Sequence, residues 1–116
     1  PHVVAYEADL MAALLNIFDN AIHWLSTSPA LPRALRISSI WSKEHVRISI
    51  SNNGPEIGEQ FMHRLFNPGF TLKAEGSGLG LAIAREAMRS SKGDVAFDAE
   101  STYTTFVIEL RKATGG

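Results

Sequence analysis

Apolar and polar positions along this chain alternate with two different periods. From about Glu7 or Ala8 to Ser26 or Thr27, apolar residues cover most of a helical wheel at about 100° per residue, among them Leu10, Leu14, Ile17, Phe18, Ala21 and Leu25. One narrow stripe breaks the pattern: Asp9, Asn16, Asn20, His23 and Thr27, with Trp24 at its edge. A helix so apolar on its other sides is expected to be mostly buried. Acidic residues in its first turn suit the positive end of the helix dipole.

Period two takes over next. Val46-Arg47-Ile48-Ser49-Ile50-Ser51 alternates strictly and predicts a strand, as does Leu35 to Trp41, with Lys43-Glu44-His45 as the hairpin turn between them. Asn52-Asn53-Gly54-Pro55-Glu56-Ile57 reads as a tight turn from its Asn, Gly and Pro content. Glu59 to Leu65 is a short helix candidate, and 66–78 a long irregular segment of the kind usually kept for function. A second helix is predicted from about Leu79 to Ser91, ended by Gly93. Asp94 to Asp98 and Thr104 to Leu110 then close the domain as two antiparallel strands, and Val3 to Tyr6 is an edge-strand candidate. This order predicts an α+β two-layer sandwich with helices on one face of a mixed sheet, formed by 1–112 with 113–116 as a tail.

Composition narrows the function classes. A chain of 116 residues makes one domain with a single core. Its net charge of −1 gives no general attraction to nucleic acid or to an anionic membrane. The absence of Cys excludes disulfides and thiolate metal sites. No apolar run is long enough to span a bilayer. A first residue of Pro rather than Met predicts a longer parent protein.

The polar stripe has two readings. It is either the wet face of an amphipathic helix or the wall of a metal–phosphate cleft. Solvated faces usually carry Lys, Glu, Gln or Arg, whereas Asn is a poor residue for a helix interior. Asn16 and Asn20, four apart, place two amides on one face. Their oxygens are hard ligands suited to Mg²⁺. Further on, Gly76-Ser77-Gly78-Leu79-Gly80-Leu81 leads directly into the second helix. Free N–H groups at a helix start form an anion site, and glycines let a phosphate reach the backbone. The spacing fits neither a dinucleotide fingerprint nor a P-loop.

Taken together and in order, Asn16/Asn20, Asn52-x-Gly54-x-x-Ile57, Phe66…Phe70-Thr71-x-Lys73 and Gly76-x-Gly78-Leu79-Gly80-Leu81 resemble the ATP-binding domain of the sensor histidine kinases. These belong to the superfamily that includes DNA gyrase, a class of heat-shock chaperones and the mismatch-repair ATPases, and share the Bergerat fold. The resemblance covers nearly the whole chain. It implies ATP as substrate and Mg²⁺ as its companion ion. Asn20 matches the Mg²⁺-binding asparagine, and Asn16 the residue one turn earlier, beside metal and phosphates and at the catalytic position. Trp24 matches an aromatic position packing on adenine. His23 stands where the family often has Lys or Arg on a phosphate, and its charge is conditional on protonation. Thr71 and Lys73 fall in the loop resembling the ATP lid. Asn52, Gly54 and Ile57 match the turn motif, and Gly76, Ser77, Gly78, Leu79, Gly80 and Leu81 the phosphate-binding helix start.

Two positions depart from the family pattern. Asn52 replaces an Asp whose carboxylate accepts from the adenine amino group, leaving a neutral acceptor. Glu56 replaces a later glycine and is expected to crowd or repel a phosphate. Hydrolysing members of the superfamily carry Glu at the position of Asn16, where a carboxylate serves as general base and an amide cannot. That favours phosphoryl transfer to a protein side chain. None of His2, His23, His45 or His63 has a phosphoacceptor context. The resemblance therefore implies a kinase catalytic domain whose acceptor His lies on a separate dimerising hairpin, without which it does not autophosphorylate. It further implies a response regulator in the parent system, a cytoplasmic location under a parent that is sometimes membrane-anchored, and a monomeric isolated domain that touches neither nucleic acid nor membrane. An ATP-hydrolysing or ATP-switched relative, and an interaction module that binds no nucleotide, are the competing readings.

Overall fold

In the computed structural model, which describes residues 3–4, 7–27, 32–70 and 79–112, the chain runs β1 (Val3–Val4), α1 (Glu7–Thr27), β2 (Leu35–Trp41), β3 (His45–Asn52), a 3-10 helix (Glu59–Arg64), α2 (Gly80–Ser90), β4 (Asp94–Phe97) and β5 (Thr104–Lys112). The sheet has the order β1-β5-β3-β2, and β4 also pairs with β5. Every pairing among the described residues is antiparallel, so the sheet they form is not mixed as the element order suggested. Because no helix crosses between two adjacent strands in the same direction, no parallel pair arises. The turn between β2 and β3 is also tighter than expected: His45 already pairs with Arg111, and Ser42 N–H donates to His45 O at 2.9 Å.

The alternation in β3 and β5 decides which side of the sheet the helices cover. Val46, Ile50 and Asn52 of β3 stand opposite Leu110, Phe106 and Thr104 of β5. All six are buried and point towards the helices. Ala13 and Ile17 of α1, and Ala84 and Met88 of α2, complete the core with Val95 and Ile108. Small residues at 13 and 84 allow the helices to pack closely on each other and on the sheet.

The helix α1 is less buried than its composition predicted. Met11, Leu15 and Ile22 are 50%, 61% and 60% exposed. With one neighbouring helix and one sheet beneath it, α1 covers about half of its circumference. All seven residues of β2 are exposed as well, because the helical layer covers β3, β5 and β4 instead.

The second helix ends differently from expectation. Gly93 N–H and Lys92 N–H close the last turn on Met88 O and Arg89 O, but the left-handed residue is Lys92, at φ 62°. Gly93 is needed for a different reason. A Cβ there would lie 2.3 Å from the Glu109 backbone oxygen of β5.

Candidate functional site

Within the polar stripe of α1, Asn16 faces the start of α2, while Asp9 accepts from the Ser91 hydroxyl at the other end of that helix. Asn16 donates its Nδ2 to Ala12 O at 2.7 Å, one turn back on its own helix. That bond fixes the amide, since only the nitrogen can face a carbonyl. Its Oδ1 is turned to the opposite side and lies 3.1 Å from the point where a Cβ on Gly80 would sit. Only glycine leaves this much room between α1 and the first residue of α2. Asn20, one turn further on, is half-buried, and its side chain forms no hydrogen bond among the described residues. Its amide is therefore available to a ligand.

Among the described residues no side chain caps the start of α2, whose N-cap residue is Leu79. Ile83 N–H closes the first helical bond on Leu79 O at 2.8 Å. The N–H groups before it have no earlier carbonyl of α2 to reach and sit at the positive end of the helix dipole. Leu81, by contrast, is partly buried and packs on the core. It places the helix start rather than presenting a polar group to the cleft.

The turn after β3 meets the other end of the same α1 face. Asn52 is 3% exposed, and its Oδ1 accepts from Gly54 N–H at 2.9 Å. A Cβ at Gly54 would lie 2.8 Å from that oxygen and 3.1 Å from the backbone oxygen of Trp24. The turn thus rests directly on α1, and glycine is what permits the approach. Trp24 and His23 are both half-buried, with their rings edge to face at 4.9 Å. Ile57 packs against the core below the turn. From Asn16 to Trp24 are eight residues of helix, or about 12 Å along the axis. The α1 face therefore has a contact with the glycine start of α2 at one end and a contact with the β3 turn at the other.

Thr71, Lys73, Gly76, Ser77 and Gly78 lie outside the described residues. Just before them, Phe70 packs on Phe61 and beneath the Arg64 guanidinium, at 5.9 and 5.0 Å between centres. Glu56 is exposed and lines, with Ile57, Met62, Tyr103 and Thr104, an open cavity of about 220 Å³ beside the β4–β5 connection.

Two further residues support the turn without having stood out in the sequence. Thr104 is buried opposite Asn52 and donates its hydroxyl to Pro55 O at 3.2 Å. Its signal was a polar residue at a core position of an alternating strand. Asn53 uses both ends of its amide on the segment entering β2, accepting from Ala34 N–H and donating to Pro32 O, each at 2.8 Å. Nothing in the local pattern distinguished it from an ordinary turn residue.

The family model described as "Histidine kinase-, DNA gyrase B-, and HSP90-like ATPase" matches residues 5–114. The chain belongs to that ATPase family. Curated relatives include two-component sensors and sensor histidine kinases. The C4-dicarboxylate transport sensor protein DctB of Rhizobium meliloti is 30% identical over 90% of this chain and 16% of its own length. The sensor histidine kinase CusS of Escherichia coli is 32% identical over 87% of this chain and 22% of its own. The chain thus spans about a sixth to a fifth of these two proteins. Among solved structures, the catalytic domain of the histidine kinase ThkA superposes with a TM-score of 0.77 at 29% identity, covering 93% of this chain and 69% of that one. The mycobacterial sensor histidine kinase MprB gives 0.76 at 30%, covering 94% and 74%. Within the family, this chain is a histidine-kinase-type ATP-binding catalytic domain with the Bergerat fold. No helix among the described residues is long and apolar enough to cross a membrane.

Proposed function

We propose that this domain serves a two-component sensor kinase by passing the γ-phosphoryl group of ATP to a His on a separate helical hairpin. The observation that supports this most is the approach of Gly80 to the Asn16 oxygen, which brings one amide of the stripe against the first residue of α2. In this reading the N–H groups at the start of α2 meet phosphate oxygens. Gly76, Ser77, Gly78, Thr71 and Lys73 complete the phosphate side, and Trp24 and Asn52 meet the base.

The residues present fit a Mg²⁺ ion. The Asn20 side-chain amide has no partner among the described residues, and the Asn16 oxygen faces the start of α2, so both offer the hard oxygen ligands that suit a phosphate-bound cation. Asn20 and Asn16 would hold it, and it would supply neutralisation of phosphate charge. Asn16 itself is no base, and its nitrogen is committed to Ala12 O, which favours transfer to an acceptor over attack by water. Binding, positioning and exclusion of water are then the domain's contribution. The acceptor hairpin and a response regulator are its partners, and the cytoplasm, where ATP is found, is its location.

The test is calorimetry with ATP in the presence and absence of Mg²⁺, followed by labelled-phosphate transfer to a supplied His-bearing hairpin. Mg²⁺-dependent binding, and labelling of the hairpin alone, are expected. Steady phosphate release that needs no hairpin and survives Asn16→Ala would contradict the assignment.

A further inference from the structure

β2 is the outermost strand of the sheet, and among the described residues nothing pairs with its far side. Asn53 N–H donates to Ala34 O and Ser42 N–H to His45 O, so the even-numbered residues between them form the hydrogen-bonded pairs with β3. The N–H and C=O groups of Leu35, Ile37, Ser39 and Trp41 therefore point to the open edge. Such edges are usually blunted by Lys, Pro, a bulge or shortness. β2 uses none of these: it pairs with β3 over its whole length without interruption, and Arg36 is its one charge. The strand is also apolar on the side that the helices should cover. Leu35, Ile37 and Trp41 stand opposite Asn52, Ile50 and Val46 and so share their face of the sheet, yet all three are exposed. α1 turns Asp9 and Asn16 towards α2 and Ala13 and Ile17 towards the sheet. On the same helical wheel, Met11, Leu15 and Ile22 fall on the flank away from α2. Because α2 packs over β4, that flank overhangs β2. One exposed apolar surface thus runs from α1 down to the free edge.

We infer that this surface is a self-association face, on which a second copy of the domain adds its own β2 edge to edge about a two-fold axis at Ser38. The register is self-complementary. An axis there sets Leu35 opposite Trp41 of the second copy, and Ile37 opposite its Ser39. All the edge-facing residues then fall in hydrogen-bonded pairs, each pair exchanging two bonds. Arg36 comes opposite Ile40, so no like charges face each other. A strand spacing of about 4.8 Å puts the two β3 strands, and the α1 helices above them, about 14 Å apart. Helices in direct contact lie about 8–10 Å apart, and the exposed side chains of Met11, Leu15, Ile22 and Trp41 take up the difference. With Leu35 and Ile37 they expose roughly 650 Å², most of the about 800 Å² that each partner buries in a standard interface. A foreign strand would satisfy the edge but leave the α1 flank bare, whereas a second copy covers both. The amides of Asn16 and the start of α2 lie on the opposite flank of α1 and stay open. This dimer departs from the monomeric isolated domain that the resemblance implied.

Sedimentation equilibrium of the chain at about 100 µM is expected to return twice the chain mass, as an interface of this size allows. Ile37→Lys, at an exposed position, is expected to return the monomer mass while keeping a cooperative thermal melt. Ser38→Cys gives the chain its one thiol and places it at the axis. Directly opposed Cα atoms of a non-hydrogen-bonded pair are about 4.5 Å apart, within disulfide range. Lys43→Cys, in the hairpin turn far from the axis, is the comparison. Under mild oxidation, Ser38→Cys is expected to form disulfide dimers at least about tenfold faster than Lys43→Cys. A monomer mass for the unaltered chain would overturn the inference, as would assembly beyond two copies, since this pairing uses up the edge. A dimer that persists in Ile37→Lys, or thiols at 43 that cross-link as fast as those at 38, would overturn it too.

Discussion

Gly80 and Asn16 are separated by most of the chain, yet a single methyl group on Gly80 would come 3.1 Å from the Asn16 oxygen. That oxygen has little room to retreat, because the nitrogen of the same amide is tied to Ala12 O. Gly80→Ala is expected to displace the Asn16 amide by a few tenths of an ångström while improving helix propensity. ATP affinity should fall about tenfold with a melting temperature changed by no more than about 4 °C, a shift equivalent to roughly 1 kcal/mol for a domain of this size. Calorimetry and a thermal melt on the same sample check both halves.

Asn20 offers the reverse test. Its amide has no partner among the described residues, and Asn is less favourable than Ala within a helix by about 0.6 kcal/mol. Asn20→Ala is therefore expected to stabilise the domain slightly while abolishing Mg²⁺-dependent ATP binding. A variant that melts lower and still binds would show a structural role for Asn20.

Arg85 ties three segments together. Its guanidinium lies 3.8 Å over the Phe66 ring, its Nε donates to Val95 O at 3.0 Å, and Asp94 is 3.4 Å away. Arg85→Lys cannot reproduce the planar stack and the directed bond together. Both Arg85→Lys and Arg85→Ala should cost about 1–2 kcal/mol in urea unfolding. Arg89, more exposed and 3.2 Å from the same Asp94, should cost less than about 0.5 kcal/mol when replaced by Ala.

Lys92 adopts the left-handed conformation at the end of α2. An L-residue with a Cβ is disfavoured there by about 1 kcal/mol. Lys92→Gly is expected to recover part of that, offset by the greater freedom of glycine in the unfolded chain. The measurement is the urea midpoint, which should rise or hold level; a fall would mean the Lys92 side chain makes a stabilising contact.

Much of this was readable in the sequence because the signals were periodic. The alternation from Val46 to Ser51 fixed the face of β3, and the spacing of Asn16 and Asn20 put two amides on one side of α1. Gly80 was read as room for a phosphate; the structure shows it leaving room for the Asn16 oxygen. What periodicity missed depended on the third dimension. Met11, Leu15 and Ile22 looked like core because a wheel shows only that a side is apolar, not whether another element covers it. The antiparallel sheet was hidden because element order does not specify strand direction. Lys92 took the place expected of Gly93, whose hydrogen is needed against β5. The pairing of Asn52 with Gly54 N–H, by contrast, follows from turn chemistry.

The proposed nucleotide site requires α1, the β3 turn and the start of α2 to form one cleft. The most direct measurement is an NMR titration of the isotope-labelled chain with a non-hydrolysable ATP analogue and Mg²⁺. The side-chain amides of Asn16, Asn20 and Asn52 and the backbone amides of Gly54 and Gly80 are predicted to shift together along one saturating curve. Shifts confined to β2 and the outer face of the sheet, with these five groups unmoved, would contradict it.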